Sequence, residues 1–136
     1  MSIFFSLTGQ TLGMTVLVFI IGALGYMALE LLWRRRTHWT MGLAGGICAA
    51  ALFRLYSAAE LPLWAAYIAG AAIITAVEFA FGYVCNIRLK MGVWDYSAVR
   101  FNLMGQICLP FSLIWGALGV AVWAAVRYGL GGAGGV

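Results

Sequence analysis

Two glutamates carry the most pointed chemistry in this sequence. Keeping an ionisable side chain inside an apolar run is costly, so such a residue is a candidate for function by default. Glu78 lies within the run Leu61 to Tyr83, about eight residues before the polar Asn86, or roughly 12 Å of helical rise from that end. There it would exchange a proton, ligate a cation, or orient a basic neighbour. A structural reading stands beside these: an ion pair, or a carboxyl kept protonated by its surroundings. Glu30 lies four residues before Arg34, and an i,i+4 pair at the interface accounts for it without a functional role.

The densest polar stretch, RLKMGVWDYSAVRFNLMGQ, runs from Arg88 to Gln106. One reading folds it back over the mouth of a helical bundle, carrying Asp95 and Arg100 toward Glu78 as a gate or a loop-fixing pair. The other leaves its charges in water with Trp94 and Tyr96 as anchors in the aromatic belt of the interface. Pro110, read as lying inside the last span, would deprive the Gln106 carbonyl of its helical donor and free an acceptor beside Asn102. Glu30, Glu78, Asp95, Arg100, Asn102 and Gln106 together form the sharpest candidate binding set, a polar pocket open on one side.

Other chemistry finds little support. Cys48, Cys85 and Cys108 have no metal-ligand spacing and read as small packing residues. His38 reads as a loop residue, no metal site or cofactor is expected, and no Ser or Cys has a base beside it in sequence. An intramembrane enzyme acting on a lipid is the weakest of the functional classes.

These groups need elements to hold them, and the composition fixes the medium. Of 136 residues, 65% are hydrophobic and 9% charged, with a mean hydropathy of +1.00, which excludes a water-soluble domain. A span takes about 20 residues, so the chain predicts an all-α polytopic membrane protein with four transmembrane helices. They run from Thr11 to Trp33, Thr40 to Tyr56, Leu61 to Tyr83 and Leu103 to Val126. Pro62 fits the first turn of the third. Residues 1–128 read as one transmembrane domain, followed by a flexible glycine-rich tail over 129–136. No G-x-x-x-x-G-K-S/T loop occurs, so any ATP hydrolysis belongs to a separate subunit.

The net charge of +4 reads as a topology signal rather than a nucleic-acid surface. Arg34, Arg35, Arg36, Arg88, Lys90 and Arg100 fall in the loops after spans one and three, against Arg54 and Arg127 on the opposite side. Loops 34–39 and 86–102 are therefore expected in the cytoplasm and both termini outside it. The setting is the cytoplasmic membrane of a bacterium or archaeon. Arg34, Arg35, Arg36, Arg88 and Lys90 would also meet anionic lipid headgroups.

Small residues mark expected helix contacts. Gly42 and Gly46 lie on span two; Gly70, Ala71, Thr75, Glu78 and Gly82 share a face of span three; Gly105, Cys108, Ser112, Gly116 and Gly119 share one of span four. Such faces also suit a homo-oligomer. A weak echo between Gly45–Cys48 and Gly105–Cys108 raises a parallel repeat of two helical hairpins as a further reading.

Over its second half the sequence resembles the CmpB-like family of type IV ABC-transporter permeases. The resemblance rests on Glu78-Phe-Ala-Phe-Gly82, Val93-Trp94-Asp95-Tyr96-Ser97, Asn102-Leu-Met-Gly105-Gln-Ile107-Cys108 and Ser112-Leu-Ile-Trp115-Gly116. Tyr26-Met-Ala-Leu-Glu30 is similar to an earlier motif, whereas Thr37 to Gly46 departs from the family pattern in lacking proline. The resemblance implies transport without naming a substrate. It also implies that Glu78, Asp95, Tyr96, Asn102 and Trp115 belong to a shared core, with Trp94, Tyr96, Trp115 and Pro110 as structural or gating residues. The leading expectation is thus a small-solute or ion permease. The alternative is a non-transporting lipid-binding or assembly subunit.

Overall fold

The computed structural model describes the backbone of residues 2–130 and the side chains of residues 12–129. Helices dominate because a backbone in hydrocarbon must satisfy its own polar groups. Among the described residues four helices are long and apolar enough to cross a membrane, with spans over Leu12–Arg34, Trp39–Ala58, Leu63–Arg88 and Leu109–Gly129. The chain divides into two compact units, Met1–Arg54 and Leu55–Val136.

The first unit holds α1 (Ser2–Arg34) and most of α2 (Trp39–Ala58). Small residues let their backbones approach. A Cβ on Gly45 would lie 2.7 Å from Tyr26 Cβ, one on Gly46 would lie 2.8 Å from the Phe19 ring, and one on Gly22 would run into Ala49. Between the helices Arg35 takes a left-handed conformation (φ 60°). Thr40 is buried, and His38 Nδ1 accepts its backbone N–H at 3.3 Å while lying 2.8 Å from its hydroxyl.

The second unit is built on α3 (Leu63–Gly82) and α4 (Leu109–Ala125). Pro62 stands just ahead of α3 as its N-cap, and its carbonyl accepts Ala66 N–H at 2.9 Å. The buried residues of α3 are Ala66, Gly70, Ile74, Glu78 and Gly82, a stripe repeating every fourth residue. Where this stripe meets α4, Gly70 faces Gly119 so closely that a Cβ on either would lie 2.7 Å from the other's Cα. Tyr67 lies against Gly116 and donates its hydroxyl to the Leu113 carbonyl at 2.6 Å. Thr75 and Ser112 hydroxyls share a hydrogen bond of 2.8 Å, and Trp123 Nε1 donates to the Leu61 carbonyl at 3.0 Å.

Both helices end in widened π-helical turns, Tyr83–Arg88 after α3 and Val126–Leu130 after α4. The first carries the helical rod to Arg88, so Asn86, Ile87 and Arg88 are helical and the polar loop starts at Leu89, not at Asn86. Gly129 and Leu130 lie in the second; the rest of the expected tail, 131–136, lies outside the described residues.

The largest correction to the expected elements is the start of the fourth span. Residues 103–108 are not helical: β1 (Asn102–Leu103) pairs antiparallel with β2 (Ile107–Cys108) in the register Asn102↔Cys108, Leu103↔Ile107. Met104 (φ 55°) and Gly105 (φ 74°) close this hairpin in the left-handed region, which no right-handed helix can contain. Pro110 therefore sits in the first turn of α4 rather than within a span, where its missing N–H has no helical partner to lose. Gly105 and Cys108 belong to the hairpin and the helix cap rather than to a helix face. The two echoing segments differ in local structure: Gly45–Cys48 is helical, whereas Gly105–Cys108 is turn and strand.

Candidate functional site

Glu78 is the centre of the second unit's polar chemistry. Its residue is only 6% exposed, and its two oxygens meet donors from different elements. Tyr96 OH donates to Oε2 at 2.8 Å from the loop, and Trp115 Nε1 donates to Oε1 at 3.2 Å from α4. The donors are themselves positioned by rings: Tyr96 stacks on Phe111 at 5.0 Å between centroids, and Phe111 leans on Trp115 at 5.9 Å. Two aromatic donors, linked to each other through the Phe111 ring, thus hold a carboxyl that would otherwise face hydrocarbon.

The loop reaches this position because its backbone bonds are closed from within. Tyr96 N–H donates to the Gly105 carbonyl at 2.7 Å, and Leu109 N–H to Phe101 at 3.1 Å. Gln106 is buried and fully engaged: Oε1 accepts Asn86 Nδ2 at 2.8 Å, Nε2 donates to Met104 at 3.0 Å, and its carbonyl accepts Trp94 Nε1 at 3.0 Å. Asn86 Oδ1 also accepts Val93 N–H at 2.7 Å, tying the end of α3 to the loop. Gly82 is obligatory here, because a Cβ on it would lie 2.6 Å from Gln106 Oε1 and 2.9 Å from Trp94.

The expected residues therefore separate into groups. The loop does fold back onto Glu78, yet it delivers Tyr96 and not Asp95 or Arg100. Asp95 is exposed, and both the hydroxyl and the backbone N–H of Ser97 donate to its Oδ1, the latter at 2.9 Å. The hydroxyl bond first, then the amide, holds the Asp95 carboxyl below its ordinary value of 3.8. Arg100 lies 5.6 Å over the Phe101 ring instead of pairing with Asp95. Asn102 shapes the hairpin, donating to Val99 at 2.8 Å and accepting Gly105 N–H at 3.0 Å. Trp94 and Tyr96 are buried, so they are not interfacial anchors. The Gln106 carbonyl is an acceptor in use, engaged by Trp94.

Glu30 finds its partners in its own unit. Its Oε2 lies 3.6 Å from Arg34 Nη1, the i,i+4 pair expected from spacing, and Thr37 Oγ1 donates to Oε1 at 3.1 Å. Arg35, Arg36, Arg88 and Lys90 are exposed. Cys85 and Cys108 are buried in the second unit. Among the described residues no three of His, Cys, Asp and Glu converge to hold a metal ion.

Sequence reasoning passed over Asn86, Tyr56 and Tyr67. The tyrosines carried a usable signal, since a hydroxyl inside an apolar run must find an acceptor; Tyr56 OH donates to Ala66 at 2.7 Å. Asn86 carries no such signal, since a polar residue at the edge of a span is ordinarily met by water.

Four helices long enough to cross a bilayer, one carrying a caged carboxyl, define a small polytopic membrane protein. The chain belongs to the family described as "Putative ABC-transporter type IV", whose pattern it matches over residues 17–130. No curated protein and no solved structure matches it. Membership gives the chain a transporter-type role in a membrane, and the matched range contains Glu30, Glu78 and the whole Leu89–Cys108 loop.

Proposed function

We infer that this chain is the membrane-spanning permease subunit of a transporter for a small solute or ion, and that Glu78 is its proton- or cation-responsive group. One observation carries the reading: a buried carboxyl whose oxygens are held by Tyr96 OH and Trp115 Nε1 on two different elements. A proton or cation arriving at Oε2 competes with the Tyr96 hydroxyl for the same lone pairs. Occupancy at Glu78 is thereby exchanged for the hold on the Leu89–Cys108 loop, which is the coupling a gated permease needs. Asp95, Asn102 and Gln106 serve by keeping the loop's shape, and Arg100 stays at its surface.

The reading implies a separate ATP-hydrolysing chain, because the sequence carries no phosphate-binding loop of its own. It also implies an oligomer, since one such small set of helices offers little room for a path. The proposed orientation places the arginine-rich turn after α1 and the loop after α3 in the cytoplasm, where Arg34, Arg35, Arg36, Arg88 and Lys90 meet anionic headgroups.

A second reading, a non-transporting assembly or lipid-holding subunit, is favoured by the fact that both Glu78 oxygens already have donors from the same chain. Reconstituted Glu78→Gln decides between the two. Loss of proton- or ion-linked flux in an assembly that still forms supports the permease reading. Unchanged flux, or failure of the assembly to form, transfers Glu78 to the structural reading. Native mass spectrometry of gently extracted protein runs alongside: an ATPase that co-purifies agrees with the permease reading, and a lipid retained without it agrees with the second.

A further inference from the structure

The hairpin between the loop and α4 is built inside out. Its inner side is polar: Gln106, Asn86 and the Trp94 N–H bond one another there, and Gly105, Gln106 and Cys108 are buried. Its outer side carries large apolar side chains, with Phe101 71% exposed, Leu103 54% and Met104 55%. In water this arrangement would be reversed, because a turn that pairs its polar groups internally and shows three large apolar residues gains nothing from burial.

The display is also held against backbone preference. Phe101 (φ 59°) and Met104 (φ 55°) both take the left-handed conformation, which disfavours residues with a Cβ. Such conformations persist where surrounding bonds over-determine them, and here the bonds Leu109 N–H to Phe101, Gly105 N–H to Asn102 Oδ1 and Gln106 Nε2 to Met104 do so.

The medium that meets this surface is set by its neighbours. The hairpin leads directly into the span that begins at Leu109, whose own Leu109 and Leu113 are exposed. Arg100, exposed and lying over the Phe101 ring at 5.6 Å, puts a positive charge at the tip, and Arg88 and Lys90 are exposed where the same loop leaves the preceding span, basic residues suited to anionic headgroups. We propose that the tip Phe101–Leu103–Met104 is an interfacial wedge, inserted at the boundary between headgroups and acyl chains, with the lipid bilayer as its partner. Short apolar elements rimmed by basic residues lie in this boundary layer. The wedge stands whether or not Glu78 serves transport.

The native chain tests this without substitution. The protein is placed in nanodiscs of phosphatidylcholine and phosphatidylglycerol, the latter carrying a diazirine near the carbonyl end of its acyl chain. Photolysis and peptide mapping should give lipid adducts on Phe101, Leu103 or Met104, and none on Ser97 or Ala98. Hydroxyl-radical footprinting of the same nanodiscs should leave Met104 unoxidised. Oxidation of Met104 without lipid adducts places the tip in water and overturns the proposal. Absence of both adduct and oxidation shows that protein covers the tip, and overturns it equally.

Discussion

Tyr96→Phe deletes a single hydroxyl and leaves its stacking on Phe111 in place, so it isolates the Glu78 bond. A buried acceptor that loses a donor costs about 1–2 kcal/mol. Thermal unfolding in detergent should fall by that margin, whereas Trp94→Phe, which strips the Gln106 carbonyl of its donor, should loosen the hairpin and leave Glu78 bonded. Asp95 gives a pH dependence of known sign. Because its folded value is depressed, the Ser97 turn keeps its full stabilisation above the ordinary value of 3.8 and loses it as pH falls through the lower folded value. The Ser97 amide resonance should titrate with a midpoint below 3.8, and Asp95→Asn should abolish that titration. A midpoint at or above 3.8 would break the link between the turn and the carboxylate.

At the scale of elements, the contact between α3 and α4 is the feature most open to a test. A methyl group on Gly70 or on Gly119 would sit 2.7 Å from the opposite Cα, backbone against backbone, so neither helix can yield locally. Each alanine substitution should cost about 1–3 kcal/mol. The double variant should cost less than the sum, because one methyl has already forced the helices apart. Full additivity would show that the two glycines do not share one contact. The spans themselves were legible because hydropathy sums over twenty residues and forgives local error. The start of α4 was not, since Leu103 to Cys108 is apolar enough to pass for the head of a helix. Its readable signs were Asn102 three residues before Gly105, a turn spacing, and Pro110 at a position helices favour for their first turn. Glu78 was legible as a lone carboxyl in an apolar run. Its donors were not, because both dispositions of the Arg88–Gln106 stretch satisfied the sequence, and only the internal bonds of Asn86 and Gln106 decide between them.

For the whole molecule, the charge asymmetry of six basic residues against two makes orientation testable. Alkaline phosphatase fused after the final residue should be active outside the cytoplasm, and the same reporter inserted at Gly92 should be inactive. Changing Arg34, Arg35 and Arg36 to glutamine reduces the bias to three against two and should yield a mixture of orientations. A single retained orientation would move the determinant to the loop after α3. Within the second unit, the bare Gly70–Gly119 contact has one more consequence. At that point the two backbones touch with no side chain of their own between them, so the contact acts as a fulcrum. What restrains α4 upon it are guy-lines: Trp123 to Leu61 on one side, and Tyr67 to Leu113, Thr75 to Ser112 and Glu78 to Trp115 on the other. Losing the Glu78–Trp115 line leaves the others taut, so such a loss would be read out as a small local tilt of α4 instead of as unfolding.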